Sequence, residues 1–312
     1  MDRVFITGGS GFLGSCLARH LIAAGQDVHL LLRPGTERWR LADLEDRFTP
    51  HWGDLRDAKT VKQAVSTCKP AVIYHLATHG AIGCQSDRDS VLSTNILGTA
   101  NLLDALRPHD YRALVHVGSS SEYGHKTGPI REDDLLEPRS DYGVAKAAAA
   151  LLCQAESYQG RPISIVRVFS AYGPWEAPSR VASYVMSCCQ RGLSPQITKG
   201  TQPRDFIYVD DVVDLLLLAA SLPRARGQIL HAGTGRPCCV RDMIQTIMSV
   251  CRSGLRPEFG GEGMRPDEPA SWTANIERTQ AITGWRPRYE LRPGLEKMWA
   301  WFQSLYATKL AA

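Results

Sequence analysis

Tyr142 and Lys146 stand four residues apart in DYGVAK, and Ser119, Ser120 and Ser121 place hydroxyls in a row at the end of the apolar run ALVHVG. On a helix, positions four apart share a face. A tyrosine phenol, with a pKa of about 10, is a poor base at neutral pH. A neighbouring ammonium favours the phenolate and lowers that value. Tyr142 is therefore a candidate to give or take a proton at a carbinol or carbonyl, with Lys146 beside it; the same lysine would also hold a nicotinamide ribose, which sets Tyr142 and Lys146 against a cofactor as well. The hydroxyl of Ser119 or Ser120 would hold the same oxygen. No set of histidine, cysteine and carboxylate residues has the spacing of a metal site.

A second group of residues has the types needed to hold an anion. Gly8, Gly11 and Gly14 form G-x-x-G-x-x-G directly between an apolar strand and a helical run, with Phe12 and Leu13 at the start of that run. Glycines there allow a tight turn and close approach of the backbone to a pyrophosphate at the helix N-terminus. The spacing differs from the G-x-G-x-x-G dinucleotide fingerprint. At the end of the second strand, where a carboxylate would meet a ribose hydroxyl, the chain has Arg33, with Arg38 and Arg40 near it. Arginine suits a 2′-phosphate, so the sequence leans to NADP, with NAD as the alternative; the lesser reading of Arg33 is a solvated loop residue. Asp54 and Leu55 either lie against the adenine or form a plain turn.

These residues need a scaffold. Val4–Ile6, the glycine turn, a helix to Ala24 closed by Gly25, and the strand DVHLLL make a βαβ unit. AVIYHLA, ALVHVG and ISIVRV supply further strands, with helices at Ser90–Leu106 and Tyr142–Tyr158 between them. Apolar strands without alternation, separated by helices, imply a parallel sheet covered on both faces. The expected fold is α/β, a Rossmann-type doubly wound sheet over residues 1–173. A smaller substrate-binding region spans 174–312, with some segments returning to the main sheet. In that region RDFIYVDD reads as extended, a helix begins near Val240, and a last helix runs from about Leu291 to Leu305.

Bulk composition excludes several classes. The chain has 312 residues and a net charge of +4, too mild for a nucleic-acid protein. It lacks an apolar run of about 18 residues and so a membrane span. The expected location is cytoplasmic, since the chain starts at once with a strand rather than a leader. The nine cysteines are an odd number and include the adjacent pairs Cys188–Cys189 and Cys238–Cys239, which reads as reduced thiols.

The whole chain resembles the extended short-chain dehydrogenase/reductases, in their nucleotide-sugar epimerase, dehydratase and reductase branch. The resemblance rests on TGGSGFLG, GDL, YHLAT, STNILGTANLLDA, GSSSEYG, YGVAK, RVFSAYGP, RDFIYVDDV and ITGWRP, in the family's order. It implies that Ser119, Tyr142 and Lys146 are catalytic. It also implies that Leu76, Ala77 and Thr78 line the cofactor and that Asn95 stabilises the site. Arg204 and Arg265 would grip a substrate diphosphate, an anion that suits bidentate arginine; both also read as ordinary surface arginines. The partner is a nucleotide-diphosphate sugar. The small-residue helix AKAAAALLCQAESY suits a homodimer, or docking on its own sheet.

Departures narrow the reaction. The 4,6-dehydratases follow the catalytic Ser/Thr with Asp-Glu, where this chain has Ser120 and Ser121. Glu122 comes one residue later and, in a strand, should point the other way, whereas a turn would re-aim it. The usual Asn of RVFNAYGP-like segments is Ser170. Because a reductase consumes NADPH, Arg33 tilts the expectation to reduction of the 4-keto group of a nucleotide-linked 6-deoxy hexose. The alternative is a 4-epimerase with bound NAD(P). A 4,6-dehydratase or a non-catalytic dinucleotide-binding protein ranks lower. His79 is placed at the pocket edge, Cys84 reads as packing, and Trp175 and Trp272 read as packing before base contact.

Overall fold

A computed structural model of the chain describes residues 2–81, 87–260 and 272–311, the last six as backbone only. Cys84 and Arg265 therefore lie outside the described residues. β1 (Arg3–Thr7), β2 (Asp27–Leu32), β3 (Thr49–Trp52), β4 (Val72–His75), β5 (Ala113–Ser119), β6 (Ile163–Val168) and the strand Ile229–Ala232 form one seven-stranded sheet. Every pairing in it is parallel. Its order is Ile229–Ala232, β6, β5, β4, β1, β2, β3. Strand order reverses between β1 and β4, the place where such sheets leave a crevice at their C-terminal ends.

Side chains along a strand alternate between faces, and both faces here are buried. Val4 and Ile6 pack with Leu17 and Leu21 of α1 (Phe12–Ala23) and with Val212 and Leu216. Phe5 packs on the other face with Val61 and Val65 of α2 (Ala58–Cys68), and with Leu102, Leu106 and Ala150. Each fully buried Val or Leu contributes about 1.5–3 kcal/mol. This two-sided cover is why β4 and β6 are buried at every position.

The expected helix over Ser90–Leu106 forms with a difference. It is α3 (Arg88–Leu92), a π-helical turn at Ser93–Leu97, and α4 (Gly98–Leu106). A π turn widens the helix locally and recurs at functional sites. Here it frees Asn95 to bond outside its own helix. α5 (Asp141–Tyr158) starts where expected, capped by Ser140 Oγ, which accepts from the Gly143 N–H at 3.1 Å.

Beyond β6 the chain makes short pieces. β7 (Ser170–Tyr172) pairs in parallel with Phe206–Tyr208, and Pro203–Arg204 pairs with Cys238–Cys239. RDFIYVDD is extended only to Tyr208, because a helix over Val209–Ser221 begins inside it. Buried Asp211 accepts from the Arg288 and Tyr289 N–H groups at 2.9 and 3.1 Å and fixes the entry to the last helix, Leu291–Ala311. No described helix is long and apolar enough to cross a membrane.

Candidate active site

The glycine turn is tight enough to require its glycines. Gly8 sits at φ +76°, and a Cβ on it would lie 2.5 Å from Ala77 N. A Cβ on Gly14 would lie 2.2 Å from Gly8 O. α1 begins after Gly11 with no side-chain cap and no acidic residue in its first turn, which leaves a helix N-terminus fit for an anion. Phe12 and Leu13 pack partly into the core beneath it. These features suit a dinucleotide pyrophosphate.

Arg33 is exposed at the end of β2, and its charge reaches Asp54. Asp54 itself is gripped by Arg56, with Nη2 to Oδ2 at 2.7 Å, and this bond above all holds its carboxyl below the usual range. Leu55 is buried against Gly98, where an added Cβ would lie 2.9 Å away. Arg40 and Arg38 are already engaged: Arg40 Nε donates to Trp175 O at 2.7 Å, and Arg38 pairs with Glu45 at 3.6 Å. Of the three arginines, Arg33 is the one whose side chain has no ion pair or hydrogen bond among the described residues; its carbonyl accepts from Thr36 N at 3.1 Å.

The segment after β4 is clamped by Asn95. Its Oδ1 accepts from His79 N at 2.8 Å and from Thr78 Oγ1 at 3.2 Å, and its Nδ2 donates to His79 O at 2.8 Å. Behind it, buried His75 bonds Thr7 Oγ1 at 2.6 Å and Thr99 Oγ1 at 2.9 Å, and burial pushes its pKa down to about 3. Leu76 is buried, and Ala77 N donates to Thr7 Oγ1 at 3.3 Å.

The serine run is a turn and not a continuation of β5. Ser119 ends the strand, and Ser120–Glu122 forms a 3-10 turn closed by a capping box. Ser119 Oγ accepts from Ser121 N at 3.1 Å, while Glu122 Oε1 accepts from Ser119 N at 2.7 Å. Ser120 is buried at 4% exposure. Of the two geometries open for Glu122, the turn is the one that forms. The turn sends its carboxylate inward to Arg167, Nε to Oε2 at 2.7 Å. α5 comes close to this turn because Gly143 has no side chain: a Cβ there would lie 2.7 Å from Ser121 O.

Tyr142, in the first turn of α5, meets the hydroxyls of Ser119 and Thr78. Burial raises the pKa of its phenol, and the Ser119 hydroxyl, the Arg180 charge and the Thr78 hydroxyl pull against that. Lys146 is buried at 3% exposure, and its ammonium donates to Val117 O. Burial lowers its pKa, and Glu122 opposes this. Lys146 is turned to the strand carbonyl, and the Arg180 charge also reaches the phenol. Arg180 Nη2 also donates to Ala81 O at 3.1 Å. Sequence reasoning missed Arg180, whose sole signal was a lone cation after the turn-rich GPWEAPS.

The remaining candidates have other described partners. Ser170 starts β7, and its N–H donates to Asp205 O at 2.9 Å. Arg204 is buried, with its guanidinium 5.0 Å from the Trp272 ring centroid and Nη1 donating to Pro203 O at 2.7 Å. Trp272 Nε1 donates to Gly124 O at 3.0 Å. Trp175 packs between Trp39, Trp301 and Arg19. Both tryptophans pack against the protein's own residues.

A profile of the NAD dependent epimerase/dehydratase family matches residues 4–233. A UDP-glucose 4-epimerase of Mycolicibacterium smegmatis is 30% identical, over 97% of this chain and 99% of that protein. The crystal structure of a UDP-glucuronic acid 4-epimerase from Bacillus cereus, with UDP-glucuronic acid and NAD, is 25% identical with a TM-score of 0.87, covering 97% of this chain and 100% of that one. The Thermotoga maritima UDP-glucose 4-epimerase superposes with a TM-score of 0.91 at 23% identity, over 97% and 99% of the two chains, a likeness of fold.

Proposed function

Because the chain belongs to the NAD dependent epimerase/dehydratase family, we propose that it is a nucleotide-sugar 4-epimerase working with a bound nicotinamide dinucleotide. The observation that carries the reading is the fate of Glu122. Dehydration needs an acid at the leaving hydroxyl and a base at the adjacent carbon. In this chain Ser120 and Ser121 replace the acidic pair, and Glu122 is locked to Arg167. What faces Tyr142 is hydroxyl groups, suited to one oxygen that loses and regains a proton. Relatives that are 4-epimerases support the same choice.

On this reading Gly8, Gly11, Gly14 and the start of α1 hold the pyrophosphate, and Leu76, Ala77 and Thr78 line the nicotinamide side. When bound, the nicotinamide supplies a reversible hydride acceptor. Tyr142 as phenolate takes the proton of the sugar 4-hydroxyl and returns it after the ring has turned over. Ser119 holds that oxygen throughout. Lys146 fixes the first turns of α5 to β5 through Val117 O. Arg204 and Arg265 would meet the diphosphate. Leu97, Val144 and Leu151 are 60%, 45% and 54% exposed, and this apolar face would pair two copies in a homodimer.

Arg33 favours a second reading, NADPH-dependent reduction of a 4-keto-6-deoxy sugar. One assay separates the two. Purified protein is offered UDP-, GDP-, CDP- and dTDP-linked hexoses with NAD, and the matching 4-keto-6-deoxy sugars with NADPH, with products separated by chromatography. Interconversion of two intact sugar nucleotides without net cofactor turnover is the expected result. NADPH oxidation matched by a new deoxysugar, with no interconversion, overturns it.

A further inference from the structure

His29, His51 and Cys68 are far apart in sequence and have no motif spacing, yet the fold brings them together. His29 lies on β2, His51 on β3, and Cys68 ends α2. The parallel register of β2 and β3 sets Leu31 opposite His51 and His29 opposite Thr49, so both rings fall on the face that α2 covers. One ligand atom from each of the three side chains lies within 4.8 Å of the others. His29 Nδ1 and His51 Nε2 are 2.9 Å apart. His29 and Cys68 are buried, and His51 is half-buried, so solvent reaches one side of the cluster.

The surroundings resemble the outer shell of a metal centre. A ligating histidine usually turns its other ring nitrogen to a carboxylate, which fixes the tautomer and raises ligand basicity. His29 Nε2 lies 3.2 Å from Asp27 Oδ1, outside good hydrogen-bond alignment, and it has no other partner. A shift of the ring toward His51 and Cys68 would make that Nε2–H a donor to Asp27. The Phe5 ring meets His51 edge-on at 5.7 Å between centroids and limits its rotation. Arg3 Nη1 donates to the Cys68 backbone carbonyl at 3.0 Å, and its charge favours a thiolate against the burial that raises the thiol pKa. Two imidazoles and one thiolate suit zinc, with bonds of about 2.0–2.3 Å and a fourth position for solvent.

The geometry points to a zinc site formed by His29, His51 and Cys68 at the β2–β3 edge of the sheet, supported by Asp27. The ion would replace the thiol proton, which leaves to the buffer. It would tie the edge strand β3 and the end of α2 to β2, in a different part of the sheet from the serine turn. Its role is in stability and not in the reaction at Tyr142.

The test uses the full chain freed of metal with a chelator and titrated with Co²⁺ under reducing conditions. One equivalent should produce a thiolate-to-cobalt charge-transfer band that Zn²⁺ then removes. Cys68→Ser should abolish the band. Asp27→Asn should weaken binding by about tenfold or more, as loss of a supporting carboxylate does. Nucleotide-sugar turnover should be unchanged in both variants. If Cys68→Ser fails to fold, His51→Ala at the half-buried edge serves in its place and should also abolish the band. Absence of the band in the unmodified chain overturns the proposal. So does a band that survives these substitutions, which would put the thiol elsewhere, such as at Cys238 and Cys239.

Discussion

Glu122 and Arg167 form an ion pair within the core, Oε2 to Nε at 2.7 Å, with side chains 0% and 2% exposed. The other oxygen of Glu122 holds the backbone N–H of Ser119. The pair thereby connects the floor of the site to β6. Gly118 leaves it room, since a Cβ there would lie 2.6 Å from Glu122 Oε1. Removing one partner of a buried pair leaves an uncompensated charge and costs about 3–5 kcal/mol. Glu122→Gln should lower the urea midpoint accordingly. The double variant Glu122→Gln/Arg167→Met should recover much of the loss. Equal losses in the single and double variants would show that the charge balance is not what matters there.

Tyr142 is a titratable group placed against the Ser119 and Thr78 hydroxyls. A positioned general acid–base contributes about 10²–10⁴-fold. Tyr142→Phe should reduce kcat by that order while leaving cofactor binding intact, because the glycine turn and α1 are untouched. Retention of more than a tenth of the activity would assign the proton transfer to another group.

The fold was legible because its signals are local. The glycine turn between a strand and a helix, the unbroken apolar strands and the small-residue helix each follow from period and turn chemistry. So was the helical placing of Tyr142 and Lys146, which follows from their spacing. Other features depend on how segments meet. Glu122 turns inward because Ser119–Glu122 closes a capping box, and the same residues also read as a strand end. Asn95 reaches His79 because the helix widens by one π turn, which periodicity does not register. Arg180 acts on Tyr142 from 38 positions downstream, and the His29, His51 and Cys68 cluster depends on strand register.

Arg180 lowers the pKa of the Tyr142 phenol against the effect of burial. Taking its charge away should let that pKa rise, so a reaction that begins with the phenolate should move to higher pH. Arg180→Gln should shift the alkaline-rising limb of the kcat/KM profile upward, and Arg180→Lys should return it toward the original position. An unshifted profile with a raised KM would instead make Arg180 a substrate contact without influence on the proton.

Glu176 is 7% exposed, and burial raises its pKa to about 7 against the pull of Arg180 and a bond to Ser183 Oγ at 3.1 Å. The sign follows from linkage: a carboxyl that holds its proton more tightly in the folded state is favourable at low pH and becomes a burden as pH rises through its folded value. The burden grows between an unfolded pKa of about 4.3 and about 7, then levels off. Glu176→Gln keeps a neutral partner for Ser183 at every pH. It should match the parent at pH below 4.5 and exceed it increasingly to pH 7, by on the order of 2–3 kcal/mol. Urea unfolding across that range measures the difference. A constant offset would mean that Glu176 titrates normally and that its burial is relieved by solvent.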